Sequence, residues 1–239
     1  ANYEEVWEMN VDCNTGTILG FGGGTSSNSN LGITTASGNL TLSNLSGQPD
    51  ICQDILNSTM SYDGEMYVAM VSPLNPNYLN CIMKVNSTLN GNSWIVNTGL
   101  TTFAEADNKP SLSAQGSNGF NALSATTNYL FYYDGQFVRA YDKTNGSLVG
   151  TQFTLASNVA KFQGGIYADE CNHVYVGGNN GNIHVFDFNG SNFTPLPDIV
   201  FAGQANKHVY DMKFNGASGL LYVSGEEFVA TVERSQTCI

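Results

Sequence analysis

Acidic side chains are the residues of this sequence with the clearest capacity for chemistry. A glycoside-cleaving site needs two carboxylates that face one another across a pocket. The candidates are Glu8, Asp12, Asp63, Glu105, Asp107, Asp169, Glu170 and Asp211. Nothing in their spacing predicts that any two of these carboxylates face one another. No G-x-S-x-G nucleophile motif is present either. We therefore predict no catalytic residue and no enzyme, with a carbohydrate-active enzyme as the alternative.

Metal and cofactor motifs are equally weak. The three histidines, His173, His184 and His208, fall in different predicted elements without zinc-ligand spacing. Asp63-Gly64 and Asp134-Gly135 are typical of tight turns, and no loop has the alternating acids of an EF-hand. We predict no metal site and no cofactor, with calcium between repeated units as the alternative.

Charge and composition exclude several classes of partner. The formal net charge is −12, from 20 acids and 8 bases, and this surface would repel a phosphate backbone. No apolar run approaches the roughly 18 residues that span a bilayer. We therefore predict neither nucleic-acid binding nor membrane insertion. Frequent Gly, Asn, Ser and Thr favour strands and turns over helices.

A strand–turn–strand–turn–strand unit is clearest at residues 165–190. Short β-branched and aromatic runs predict strands at 165–169, 174–178 and 183–187, and Asn/Gly-rich turns separate them. The unit recurs four more times, and the residues that close its first strand are Asp12, Asp63, Thr126, Asp169 and Asn215. An insertion at residues 101–118 lengthens one interval. The spacing is typical of four-stranded propeller blades, which run ~40–50 residues.

An outer fourth strand is predicted after four of the five units, at residues 40–45, 94–98, 148–155 and 193–201. The sequence thus predicts an all-β fold, a β-propeller of about five four-stranded blades whose last blade lacks its outer strand. An open solenoid or a sandwich is the alternative. We expect residues 1–239 to form one repeat domain and to be a fragment of a longer protein. Recurring strand aromatics predict core packing between blades: Trp7, Tyr67, Tyr132, Tyr133, Tyr141, Tyr175, Phe186 and Tyr222.

The cysteines can be placed on the two faces of such a propeller. Turns after first and third strands share one face, which groups Cys13, Cys171 and Cys238; Cys52 and Cys81 lie on the other face. We predict a Cys52–Cys81 disulfide and a bond between two of the remaining three. Dispersed cysteines and few lysines favour an exported protein.

Two segments carry a family resemblance. They are Asn118-Gly-Phe-Asn-Ala-Leu-Ser with Tyr129-Leu-Phe-Tyr-Tyr-Asp-Gly, and residues 163–190, which continue to Val209-Tyr-Asp and Leu221-Tyr-Val-Ser-Gly. They resemble the propeller region of very large secreted proteins of gliding Bacteroidota, a group that includes the mobile gliding adhesin.

The resemblance implies a function and a location. It implies export by the type IX secretion system, a position on the cell surface, and a non-catalytic adhesion module that contacts an extracellular surface or polysaccharide. The implied protein partners are components of the secretion or gliding machinery. A structural spacer without its own ligand is a further alternative.

Overall fold

The structure is a computed structural model that describes residues 8–12, 15–22, 30–34, 40–44, 54–72, 75–88, 90–97, 121–133, 137–155 and 165–233. The chain divides into two compact units, Ala1–Gly119 with Asp142–Ser147, and Phe120–Tyr141 with Leu148–Ile239. The described part of the chain contains no helix with the length and apolarity needed to cross a membrane. The predicted insertion at residues 101–118 lies outside the described residues.

The first unit contains two four-stranded antiparallel sheets. The first sheet has the order β1 (Glu8–Asp12), β2 (Thr17–Gly22), β3 (Asn30–Thr34), β4 (Leu40–Asn44). The second has the order β5 (Asp54–Met60), β6 (Met66–Ser72), β7 (Asn75–Val85), β8 (Asn92–Asn97). Leu19 of β2 packs into an apolar cluster with Met66, Val68 and Met83 of the second sheet, so the two sheets share a core.

The second unit contains the other three sheets. One is formed by β9 (Leu123–Ala125), β10 (Tyr129–Tyr133), β11 (Phe137–Asp142) and β12 (Leu148–Thr154), and the next by β13 (Ile166–Ala168), β14 (His173–Gly177), β15 (Asn182–Phe188) and β16 (Phe193–Val200). The last is three-stranded in the described residues: β17 (Val209–Asn215), β18 (Leu220–Gly225) and β19 (Phe228–Glu233). The turn between β11 and β12 belongs to the first unit.

Every described strand in a sheet pairs with the strand that precedes or follows it in the chain, which is the up-and-down pattern of a propeller blade. The predicted all-β propeller fold is confirmed, and the fifth sheet has three strands in the described residues. The strands reverse direction at short turns, and residues with φ > 0 occupy these turns. Asn172 (φ 62°) precedes β14, and Gly181 (φ 61°) precedes β15.

Aromatic side chains fill the core between blades, as predicted. Phe131 packs edge-to-face on Phe188 with ring centroids 5.5 Å apart, and Tyr67, Tyr132 and Tyr133 are fully buried. Among the predicted aromatics that the structure describes, Tyr222 is the exception, because strand alternation turns it away from its buried neighbours Leu221 and Val223, and 42% of its surface is exposed. Trp7 lies outside the described residues.

Candidate functional site

A cavity of about 590 Å³ lies in the first unit, between residues of its two sheets. Its walls carry the carboxylates of Asp12, Asp63 and Glu65 and the ammonium of Lys84. The rest of the lining mainly combines hydroxyl side chains with apolar ones, namely Thr15, Thr17, Ser87 and Ser93 with Leu19, Met60, Met66 and Val85. A volume of this size is typical of small-molecule sites.

The hairpin between β5 and β6 places two of the carboxylates. The Ser61 N–H donates to the Glu65 carbonyl and the Gly64 N–H to the Ser61 carbonyl, each at 2.9 Å. Gly64 has φ 81°, which a residue with a side chain rarely adopts. The turn therefore presents Asp63 and Glu65 on the same cavity, and the Ser61 hydroxyl donates to Asp63 Oδ1.

Lys143 supplies the main counter-charge from the turn between β11 and β12. Its Nζ lies 2.9 and 3.0 Å from the two Asp63 oxygens and 3.2 Å from Glu65 Oε2. The Lys143 carbonyl accepts a bond from Trp94 Nε1 at 3.0 Å and another from Lys84 Nζ at 3.1 Å. These contacts fix the turn and bury the Lys143 amine.

Glu65 is held by three donors. Its Oε1 pairs with Lys84 at 2.5 Å, and its Oε2 accepts the Tyr67 hydroxyl at 2.7 Å and faces Lys143. Asp63 faces Ser61 and Lys143 and is more exposed to solvent than Glu65. Glu65 therefore anchors the cluster, and Asp63 is the more accessible carboxylate of the pair.

The contacts set the protonation states of the cluster. Burial alone would raise the pKa of Asp63, but hydrogen bonds from Ser61 and Lys143 and the Lys143 charge hold it below the ordinary value of 3.8. Burial also opposes ionisation of Glu65, yet bonds from Lys84, Tyr67 and Lys143 hold its pKa below 4.5. Burial and the neighbouring Glu65 raise the pKa of Tyr67. At neutral pH the cavity therefore presents ionised carboxylates beside a neutral tyrosine.

The structure brings two of the sequence candidates together, Asp12 and Asp63. Glu105 and Asp107 lie outside the described residues, and Asp169, Glu170 and Asp211 belong to the second unit. Sequence reasoning missed Glu65, Lys84 and Lys143. The one available signal was the second acid in Asp63-Gly64-Glu65, because both acids of such a short turn remain at the same sheet end.

Asp169, Cys171 and His173 of the second unit form a cluster whose ligand atoms lie within 4.8 Å of one another. Asp169 Oδ1 accepts the backbone N–H groups of Cys171 and His173, and Oδ2 faces His173 Nδ1 at 3.0 Å and the Tyr175 hydroxyl at 3.1 Å. Cys171 is disulfide-bonded, so its sulfur is not a thiolate ligand. The cluster therefore orders the turn before β14 and is not a metal centre in this state.

Cys81 of β7 is also disulfide-bonded. Cys13, Cys52 and Cys238 lie outside the described residues, so the Cys52–Cys81 pairing stays a prediction.

No protein-family model and no curated protein matches the sequence. Solved structures do. A protein named as a 6-phosphogluconolactonase from Bacteroides uniformis has a TM-score of 0.65 at 12% identity, over 97% of this chain and 68% of that one. Its namesake from Bacteroides fragilis has a TM-score of 0.63 at 13% identity, over 100% and 69%. A gluconolactonase from Xanthomonas campestris has a TM-score of 0.57 at 13% identity, over 93% and 70%.

These likenesses correct one prediction. The expectation that the chain is not an enzyme is wrong, since similar structures are named as lactonases. The error has a physical source: the repeated hairpin motifs specify blades, and one blade architecture carries many different sites. At this identity the likeness shows the fold alone, and the resemblance to gliding proteins stays a prediction.

Proposed function

We propose that the chain is a carbohydrate-active hydrolase that opens the lactone ring of a sugar acid in the cavity of the first unit. The observation that carries the proposal is the acid-lined cavity of about 590 Å³. Its occurrence in a fold shared with structures named as lactonases supports the choice of reaction.

Asp63 is the proposed general base. Its pKa is low enough for it to be ionised at neutral pH, and it is more exposed than Glu65. In the proposed step, a water oxygen bonds to the lactone carbonyl carbon while Asp63 takes a proton from that water. The ring C–O bond then breaks and the same proton passes to the ring oxygen. Lactone and water thus give the open-chain acid.

Lys84 is the proposed electrostatic partner. It lines the cavity, and two of its contacts, to Glu65 Oε1 and to the Lys143 carbonyl, hold its ammonium in place. A fixed ammonium stabilises the negative charge that develops on the carbonyl oxygen as water attacks. The hydroxyl groups of Thr15, Thr17, Ser87 and Ser93 are suited to hydrogen bonds with sugar hydroxyls.

The test is hydrolysis of D-glucono-δ-lactone, followed by acid release in a pH-stat with the spontaneous rate subtracted. We expect the Asp63→Asn variant to lose at least ~100-fold in kcat, the usual contribution of a general base. Asp198→Asn is the matched control, because Asp198 is an aspartate of similar exposure, 38% against 44%, that pairs with His184 in the second unit. Equal rates in the two variants would remove Asp63 from the mechanism. Absence of hydrolysis by the wild type would overturn the proposed function.

The location and partners rest on the sequence resemblance alone. We propose that the protein is exported by the type IX system and displayed on the cell surface, where it meets polysaccharide. Protease treatment of intact cells checks this location: a protein fully protected until lysis is not on the surface.

A further inference from the structure

We infer that the cavity of the first unit accepts an uncharged sugar lactone and excludes the corresponding phosphate ester. This inference rests on the proposed function and adds its substrate class. It follows from the arrangement of charge in the cluster of Asp63, Glu65, Lys84 and Lys143.

The charges of this cluster are layered. The side chains of Asp63 and Glu65 are 44% and 34% exposed, whereas those of Lys84 and Lys143 are 15% and 6% exposed. Carboxylate oxygens therefore make up most of the charged surface that a ligand meets. Lys84 reaches the cavity wall but is less exposed, and Lys143 is not among the described lining residues. An approaching phosphate would meet the negative layer first.

The amines are also committed to other partners. Lys143 contacts both oxygens of Asp63 and one oxygen of Glu65, and Lys84 contacts the other oxygen of Glu65 and a backbone carbonyl. A phosphate dianion would gain a counter-ion only by drawing Lys84 or Lys143 away from ionised carboxylates, whereas Lys84 can stabilise the smaller charge on a lactone carbonyl oxygen without leaving Glu65. Among the described residues that line the cavity, Lys84 is the one cation, and none is an arginine able to grip a phosphate with two parallel bonds.

The local charge balance is unfavourable for an anion. Asp12, Asp63 and Glu65 contribute three negative charges and Lys84 and Lys143 two positive charges, which leaves one negative charge in excess. A phosphate ester is close to a dianion at neutral pH. Repulsion between such charges across a few ångströms, at the effective dielectric of a protein surface, corresponds to at least about tenfold in binding.

The neutral groups of the cavity fit the hydroxyls of a sugar lactone. The Thr15 hydroxyl lies 2.6 Å from Asp12 Oδ2 and 2.8 Å from Thr17 Oγ1, so donors and acceptors form a connected network at the wall. Carboxylates are strong acceptors for ligand hydroxyl groups. An uncharged polyol ring can use them without bringing a like charge beside them.

The experiment compares D-glucono-δ-lactone with its 6-phosphate on the same protein. We expect kcat/KM to be at least about tenfold higher for the uncharged lactone, and the ratio to shrink as salt screens the repulsion. Calorimetric titration with hydrolysis-resistant gluconolactam and its 6-phosphate measures the preference in binding independently of catalysis. Binding of the uncharged lactam without lactone hydrolysis would support the inference and sink the proposed function. Equal or tighter binding of the phosphate, or binding of neither, would overturn the inference.

A charge variant tests the cause. Thr15→Lys adds a cation at an exposed position of the cavity wall, and we expect it to reduce the discrimination against the phosphate several-fold. Thr194→Lys is the matched control, since it makes the same change at an exposed position on β16 in the second unit. An unchanged ratio in Thr15→Lys, or an equal change in Thr194→Lys, would contradict the electrostatic explanation.

Discussion

Replacing Lys143 by methionine tests the buried charge on which the cavity depends. Methionine keeps most of the apolar stem but removes an amine that lies within 3.2 Å of three carboxylate oxygens. A shielded hydrogen bond to a charged group contributes about 1.5–3 kcal/mol, and an exposed ion pair about 0–1 kcal/mol. Because the amine is buried and its carboxylates are partly solvated, we expect a loss of about 2 kcal/mol in the free energy of unfolding.

The pH dependence of that loss has a definite sign. The pKa values of Asp63 and Glu65 are lower in the folded protein than their ordinary values of 3.8 and 4.5. Their ion pairs therefore stabilise the fold above those ordinary values, and the contribution disappears as the pH falls through the lower folded pKa values. Lys143→Met lacks part of this contribution. The difference in the free energy of unfolding between Lys143→Met and the wild type is therefore expected to be largest at pH 7 and to narrow toward pH 3.

Urea unfolding at pH 7 and pH 3 measures the effect, followed by circular dichroism and by tryptophan fluorescence. Trp94 belongs to the first unit and its Nε1 donates to the Lys143 carbonyl, so its emission reports on the unit that contains Lys143. Lys207→Met is the control, because Lys207 forms an exposed pair with Glu227 and its loss should cause no resolvable change. A loss of equal size at both pH values, or none at pH 7, would refute the reasoning.

Two further predictions concern the fold. Gly181→Ala should destabilise the protein by more than ~2 kcal/mol, because φ is 61° and a Cβ would lie 2.2 Å from the Gln204 carbonyl oxygen; Gly203→Ala, at φ 77° with nothing within 4 Å, should cost about 1 kcal/mol. Equal midpoints of thermal unfolding for these two variants would contradict the steric argument. Phe131→Ala should cost about 3–5 kcal/mol, since Phe131 is fully buried among Tyr129, Phe188 and Phe193. Val229→Ala, at a side chain that is 78% exposed, should be close to neutral, and a large urea-midpoint shift there would count against this account of the core.

The strands were predictable because their signals are local. Alternating β-branched and aromatic residues between Asn/Gly turns place β14 at His173–Gly177 and β15 at Asn182–Phe188, within one residue of the predicted ends. The outer strand predicted at residues 193–201 is β16, Phe193–Val200. Each of these elements is specified by fewer than ten consecutive residues, which is the range over which hairpin chemistry acts.

The cavity was predictable only in part because its partners are distant in sequence. Asp63 and Lys143 are 80 residues apart, and their contact depends on how one turn packs against the end of another sheet. From the sequence, a lysine in an Asp-Lys-Thr-Asn-Gly turn is expected to be a solvated surface residue. The structure shows instead that Trp94 donates a hydrogen bond to the Lys143 carbonyl and holds this turn in place. Asp169 shows the opposite case: the sequence suggests a free acid, but four hydrogen-bond contacts with Cys171, His173 and Tyr175 occupy its carboxylate.

The late position of Lys143 in the sequence also affects the order in which the two units can complete folding during synthesis. The first unit takes residues 142–147 from beyond residues 120–141, which belong to the second unit. A ribosome that adds ~5–20 residues per second reaches Lys143 about one to five seconds after it completes residue 119. Until then the nascent first unit holds Asp63 and Glu65 without their buried counter-ion. It therefore reaches its final state only after part of the second unit has been made, although domains generally mature in the order of synthesis.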